Sequence, residues 1–143
     1  MYKGGVVDIL SLNFLKNIFN IHKPKKQIKI YTALEIANYI VNKCYYENKS
    51  ISNPQLQRVL YFLQMRFLKE KGYPLFYDEI EKSDFGPIIK KVYFKFCGFG
   101  LSPLFEISDN KTKFSIEDKK IIDETIEKHR GKNYWDLVKE YRM

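Results

Sequence analysis

Apolar positions along the chain recur at intervals of three and four, the period of a helix with one buried face. Leu34, Ala37, Ile40, Val41 and Cys44 form one such stripe. It follows Thr32-Ala33-Leu34-Glu35, which fits a capping box: each end of the motif satisfies an otherwise unpaired N–H of the first turn. The stripe predicts a helix to about Tyr46, ended by the polar run Glu47-Asn48-Lys49-Ser50. A stronger stripe follows at Leu56, Val59, Leu60, Leu63 and Phe67. Ser52-Asn53-Pro54-Gln55 opens it with capping residues and a proline where a missing N–H costs nothing, and Gly72 and Pro74 stop it. This segment, at about 54–71, is predicted to be the central helix of the core.

The pattern changes after it. Residues 75–85 read as small strands or an extended loop, punctuated by Gly86-Pro87. Ile88, Ile89, Val92, Tyr93 and Phe96 resume a helical stripe that ends at Gly98 and Gly100. Leu104 to Ile107 and Thr112 to Ile116, joined across Asp109-Asn110, read as a short β-hairpin near 104–116. Ser115 caps a helix from Glu117 to about His129, and Asn133 can cap a last one holding Trp135, Leu137, Val138 and Tyr141. The fold class is mainly α with a small β element (α+β), a helical bundle around the helix at 54–71.

The N-terminal segment is different in kind. Val7, Leu10, Phe14, Ile18 and Ile21 recur at helical spacing, widened by Leu12, Leu15 and Phe19. The run is too short and polar to cross a membrane, and it lacks the plan of a signal peptide. It reads as a helix that packs on the body or on a partner, followed by a solvated linker at His22-Lys23-Pro24-Lys25-Lys26. The division is thus an apolar and basic arm at 1–31 and a helical domain at 32–143.

Charge follows the same division. The net charge is +8, but residues 1–31 carry six Lys and one Asp, leaving 19 positive and 16 negative charges on the rest. The body is therefore nearly balanced. Lys outnumbers Arg 21 to 4, whereas base-specific readers rely on Arg, so nucleic acid is not the expected partner. Lys90-Lys91-Val92-Tyr93-Phe94-Lys95-Phe96 interleaves lysines with rings, but on a helix those lysines fall on several faces. Eleven Tyr and eleven Phe exceed what the core alone calls for and leave rings for an interface.

Chemistry is sparse. Cys44 and Cys97 form no CxxC, and His22 and His129 have no ligand spacing, so neither a disulfide framework nor a metal is expected. No phosphate-binding, nucleophile-elbow or zinc-protease motif occurs. The chain reads as a cytoplasmic binding protein without a cofactor, not as an enzyme.

Four stretches resemble a known family. Ala33-Leu34-Glu35-Ile36-Ala37-Asn38-Tyr39-Ile40 fits its usual opening helix. Ile51-Ser52-Asn53-Pro54-Gln55-Leu56-Gln57-Arg58-Val59-Leu60-Tyr61-Phe62-Leu63-Gln64 looks like the signature helix of the Panacea antitoxin domain, which includes SocA-like antitoxins and phage-associated GepA-like proteins. Gly72-Tyr73-Pro74-Leu75-Phe76 and Ile80-Glu81-Lys82-Ser83-Asp84-Phe85-Gly86-Pro87-Ile88-Ile89-Lys90-Lys91-Val92-Tyr93 resemble its two following motifs. Lys82-Ser83 departs from the Ala-Trp common there, and Pro54-Gln55 from a basic residue before Leu-Gln. The resemblance covers about 32–140 and implies an antitoxin that binds a cognate protein toxin, with delivery of the toxin to a protease as a further role in some relatives. A phage accessory protein that redirects a host protein would share this sequence pattern, and a basic nucleic-acid-binding module is the other alternative.

Within the motifs, Pro74, Phe76, Glu81, Phe85, Gly86, Pro87 and Tyr93 read as structural or groove positions, with Phe85 and Pro87 assigned to core and turn. Gln57, Tyr61 and Gln64 share a helical face apart from the apolar one and are the candidates for contacting a partner or an adjacent loop. Leu10, Phe14, Ile18 and Phe19 are the candidate partner contacts of the arm.

Overall fold

A computed structural model describes residues 28–105 and 111–132. Helix α1, Ala33–Tyr46, starts at the expected capping box: the Glu35 N–H donates to Thr32 Oγ1 at 3.1 Å and the Thr32 N–H to Glu35 Oε2 at 2.7 Å. Asp78 adds a second cap from across the fold, accepting from the Ala33 N–H at 2.8 Å. Helix α2, Asn53–Lys71, has the same box in Ser52 and Gln55, proline in its first turn, and Gly72 in the left-handed conformation at φ 77° where it ends.

A two-stranded antiparallel hairpin follows, β1 at Glu81–Ser83 and β2 at Gly86–Ile88, with Glu81 opposite Ile88 and Ser83 opposite Gly86. Helix α3 spans Lys90–Phe96 and runs into a 3-10 turn at Cys97–Phe99; helix α4 spans Ile116–His129 behind its Ser115 cap. Mainly α with a small β element is therefore the architecture, but the hairpin lies earlier than the one expected near 104–116. Residues 104–105 and 111–115 form no strand, and Ile116 begins α4. The stripe starting at Ile88 is also shorter than the pattern suggests, because Ile88 closes β2 and Ile89 precedes α3.

Helix α2 is central, packed against α1, β2, α3 and α4. Leu56, Val59, Leu60, Leu63 and Phe67 are each no more than 1% exposed and meet Ile36, Ala37, Ile40 and Val41 of α1 and Ile122 and Ile126 of α4 in one core. Tyr31 belongs to this body and not to an arm. It is 3% exposed, its N–H donates to Leu75 O at 2.8 Å, and its hydroxyl donates to Asp118 Oδ2 at 3.1 Å. The arm proper, with Leu10, Phe14, Ile18 and Phe19, and the expected last helix around Trp135 lie outside the described residues.

Polar bridges fix α4 to its neighbours. Tyr39 donates to Asp123 at 2.6 Å, Lys71 pairs with Glu117 at 2.9 Å, and Arg66 reaches Glu124 at 2.8 Å. Arg130, just beyond α4, pairs with Glu47 at the end of α1. Among the described residues, no helix is long and apolar enough to cross a membrane.

Candidate partner-binding surface

Helix α2 carries polar residues where its packing would lead one to expect apolar ones. Asn53, Gln57, Arg58 and Gln64 are 2%, 1%, 1% and 7% exposed. A buried amide is tolerable only if its polar atoms are paired, and each of these is directed at the backbone of the segment from 75 to 93. The Leu75 N–H donates to Gln64 Oε1 at 2.8 Å, while Gln64 Nε2 donates to Phe76 O at 2.7 Å. The Ile89 N–H donates to Gln57 Oε1 at 2.8 Å, and Gln57 Nε2 donates to Asn53 Oδ1 at 3.0 Å. Asn53 Nδ2 in turn donates to Tyr93 O at 3.1 Å. One helix thus holds three points of the segment that carries the hairpin and the start of α3.

Arg58 makes the fourth clip. Its Nη1 donates to Pro87 O at 3.4 Å, and the guanidinium lies against the backbone of Gly86. A Cβ at Gly86 would fall 2.5 Å from Arg58 Nη2 and 2.6 Å from Cζ. Gly86 also sits at φ 106°, a region that side chains disfavour, so glycine is required there twice over. The hairpin turn is closed locally by Ser83, whose hydroxyl donates to Gly86 O at 2.6 Å and accepts from the Phe85 N–H at 3.2 Å.

The pinned elements carry exposed rings next to the pins. Tyr77 follows Phe76 and is 71% exposed; Phe85 precedes Gly86 and is 70% exposed. Tyr93, whose carbonyl Asn53 holds, is 38% exposed, and its ring meets that of the exposed Phe94 edge-on at 5.7 Å. Glu81 of β1 pairs with Lys90 of α3 at 3.3 Å, tying the hairpin to that helix. A rigidly mounted aromatic loses little conformational freedom when it is covered, which suits it to anchor an interface.

This geometry changes the picture of the motif residues. Gln57 and Gln64 do not stand on an outward face; they contact adjacent loops inside the fold. Helical periodicity separates them from the apolar stripe, yet backbone 32 residues away covers Gln57 and backbone 11 and 12 residues away covers Gln64. Tyr61 is half-buried, its ring edge-on to Phe62 at 5.3 Å. Pro74, Phe76 and Pro87 are buried and Glu81 is half-buried. Phe85, expected in the core, is at the tip of a two-residue loop and faces outward.

A second aromatic group lies at the end of α1. Tyr45 and Tyr46 meet at 5.4 Å, Tyr45 meets Phe105 at 6.1 Å, and Phe105 meets Phe99 edge-on at 5.2 Å. Titratable groups are perturbed mainly by structural contacts. Burial and the Asp118 carboxylate push the Tyr31 hydroxyl up to about 12, and hydrogen bonds from Lys43 and Arg130 hold Glu47 down at about 2. Among the described residues, no group of three or more His, Cys, Asp or Glu side chains converges as metal ligands would. Cys44 is buried and Cys97 exposed, both as free thiols.

Comparison with known proteins agrees with this arrangement. Antitoxin SocA of Caulobacter vibrioides (strain NA1000 / CB15N) is 40% identical over 68 residues, 48% of this chain and 36% of that protein. The aligned segment thus spans about a third of the relative's length. No solved structure gives a significant match. The family model described as "Antitoxin SocA-like, Panacea domain" matches residues 56–141, from the second turn of α2 onward and through the pinned hairpin. The chain belongs to the SocA-like antitoxin family with a Panacea domain.

Proposed function

We propose that the chain acts in the cytoplasm as an antitoxin that neutralises a cognate protein toxin by direct contact. The observation that carries this reading is the use of the family's signature residues. Asn53, Gln57, Arg58 and Gln64 hold the chain segments that bear Tyr77, Phe85 and Tyr93, so the signature works as a mount for outward aromatic side chains. Phe85 is the central anchor, since the hairpin turn and the Gly86–Arg58 contact both fix its backbone.

The N-terminal arm supplies selectivity in this reading. Leu10, Phe14 and Ile18 share one helical face in sequence, Phe19 widens it, and folding that surface onto the toxin would form a clamp. Burying each of these side chains would contribute roughly 1.5–3 kcal/mol, against the entropy of ordering the segment. Presentation of the captured toxin to a protease is a further step, visible as a shortened toxin half-life in cells that contain both proteins.

The test is affinity purification of the full chain co-expressed with the product of the adjacent gene. A stoichiometric complex that withstands moderate salt supports the reading, because a contact built on rings is less salt-sensitive than one built on lysines. A neighbour product that is toxic but never co-purifies would overturn it.

A further inference from the structure

A groove unrelated to the pinned hairpin runs between α2 and α4. Phe62, Met65, Arg66, Lys69 and Glu70 line it from α2, and Thr125, Lys128 and His129 from α4, around a volume of about 600 Å³. The two floor rings, Phe62 and His129, stack in parallel at 4.4 Å with 4° between their planes. Arg66 bridges the helices beneath the opening, donating to Thr125 Oγ1 at 3.3 Å while pairing with Glu70 and Glu124. Met65 is 37% exposed, a pliable apolar surface of the kind that adapts to a bound segment.

The lining carries more positive than negative charge, since Glu70 is already paired with Arg66. Lys69 projects from α2 and Lys128 from α4; both are exposed, and neither has an ion-pair partner among the described residues. Arg66, by contrast, is matched by two carboxylates. Among the described residues, two ammonium groups without an ion-pair partner thus flank the Phe62 and Met65 side chains. The field of Lys132 and Lys128 is felt there: together with burial, the larger cause, it pushes the His129 imidazole down to about 4.

We propose that this groove docks an acidic amphipathic helix of a protein partner, its apolar side chains on Phe62 and Met65 and its carboxylates facing Lys69 and Lys128. Charge complementarity selects the carboxylates. The apolar floor favours a peptide over a phosphate backbone, whose ligands are read by cations and hydrogen bonds. The proposal adds a second contact to the antitoxin reading without depending on which neighbour is toxic.

The test uses the full chain, with a synthetic helical peptide as probe. The peptide carries Leu at positions i, i+3, i+4 and i+7 with Glu on both flanks, and its counterpart has Lys in place of every Glu. Binding is followed by NMR at the Met65 methyl and the His129 ring, and by fluorescence anisotropy. The Glu peptide is expected to shift both signals; the Lys peptide should shift neither. Lys69→Gln combined with Lys128→Gln replaces only exposed side chains and should weaken Glu-peptide binding about fivefold or more, as the loss of two favourable charge contacts implies. Three results would overturn the proposal: no Glu-peptide binding, equal binding by the double variant, or the same shifts on adding a DNA duplex. Each can occur whether or not a toxin is found, so failure here is separable from failure of the antitoxin reading.

Discussion

Gly86→Ala is the substitution most sharply defined by the geometry. The new Cβ would sit at φ 106° and 2.5 Å from Arg58 Nη2. Holding alanine in so sparsely populated a region costs about 1–3 kcal/mol. The guanidinium would also have to move, and at 1% exposure it has no open space to enter, so its bond to Pro87 O would be lost. A hydrogen bond from a charged donor contributes about 1.5–3 kcal/mol. Together the two effects give a destabilisation of about 3–5 kcal/mol, a large part of the roughly 5–15 kcal/mol by which domains are stable. Urea unfolding followed by far-UV circular dichroism reads this directly. With a slope of about 2 kcal/mol per molar, the midpoint should fall by roughly 2 M. The same change in an Arg58→Met background separates the causes, since only the backbone strain then remains. The cost should drop by about 1.5 kcal/mol or more in that background. A cost below about 1 kcal/mol, or the same cost in both backgrounds, would refute the idea that Gly86 is there to admit the guanidinium.

Three further outcomes follow from the same contacts. Gln64→Ala should destabilise the fold by about 2–3 kcal/mol, because it leaves the Leu75 N–H and the Phe76 carbonyl buried without a partner; urea unfolding again provides the check. His129, held near 4 in the folded chain against an ordinary value near 6.5, should make stability fall as pH drops from about 6.5 to 4, since the unfolded state takes up the proton first. The drop between about pH 6.5 and 4 should total about 3 kcal/mol; it should vanish in His129→Gln, and an unchanged profile in that variant would assign it to other groups. Deleting residues 1–27 should leave the thermal unfolding transition in place but weaken toxin binding at least a hundredfold by calorimetry, as loss of two or more buried anchors implies.

Local signals in the sequence located the helices well, because capping and apolar period are short-range. Thr32 with Glu35, Ser52 with Gln55, Gly72 and Ser115 all mark ends that the structure realises. The pinned surface was harder to read. Gln57 and Gln64 are polar, and periodicity alone assigns a polar row to solvent; nothing local says that the backbone at 75–76 and at 89 will cover it. The hairpin was misplaced for a related reason. Glu81-Lys82-Ser83 has little strand propensity, and its pairing depends on α2 beneath it, whereas Asp109-Asn110 offers a conspicuous turn signal without such support. Phe85 and Pro87 read as core and turn; Pro87 is buried, while Phe85, in the two-residue loop between Ser83 and Gly86, is 70% exposed.

The most direct test of the antitoxin reading is growth of cells expressing the adjacent gene's product, with either the wild-type chain or its Phe85→Ser variant supplied in trans. Phe85 is 70% exposed, so the variant should unfold within about 0.5 kcal/mol of the wild type. The wild-type chain should restore growth and co-purify with the toxin, and the variant should do both much more weakly. A wild-type chain that rescues growth without binding the toxin, or a Phe85→Ser chain that neutralises as well as the wild type, would contradict neutralisation through the mounted aromatic turn.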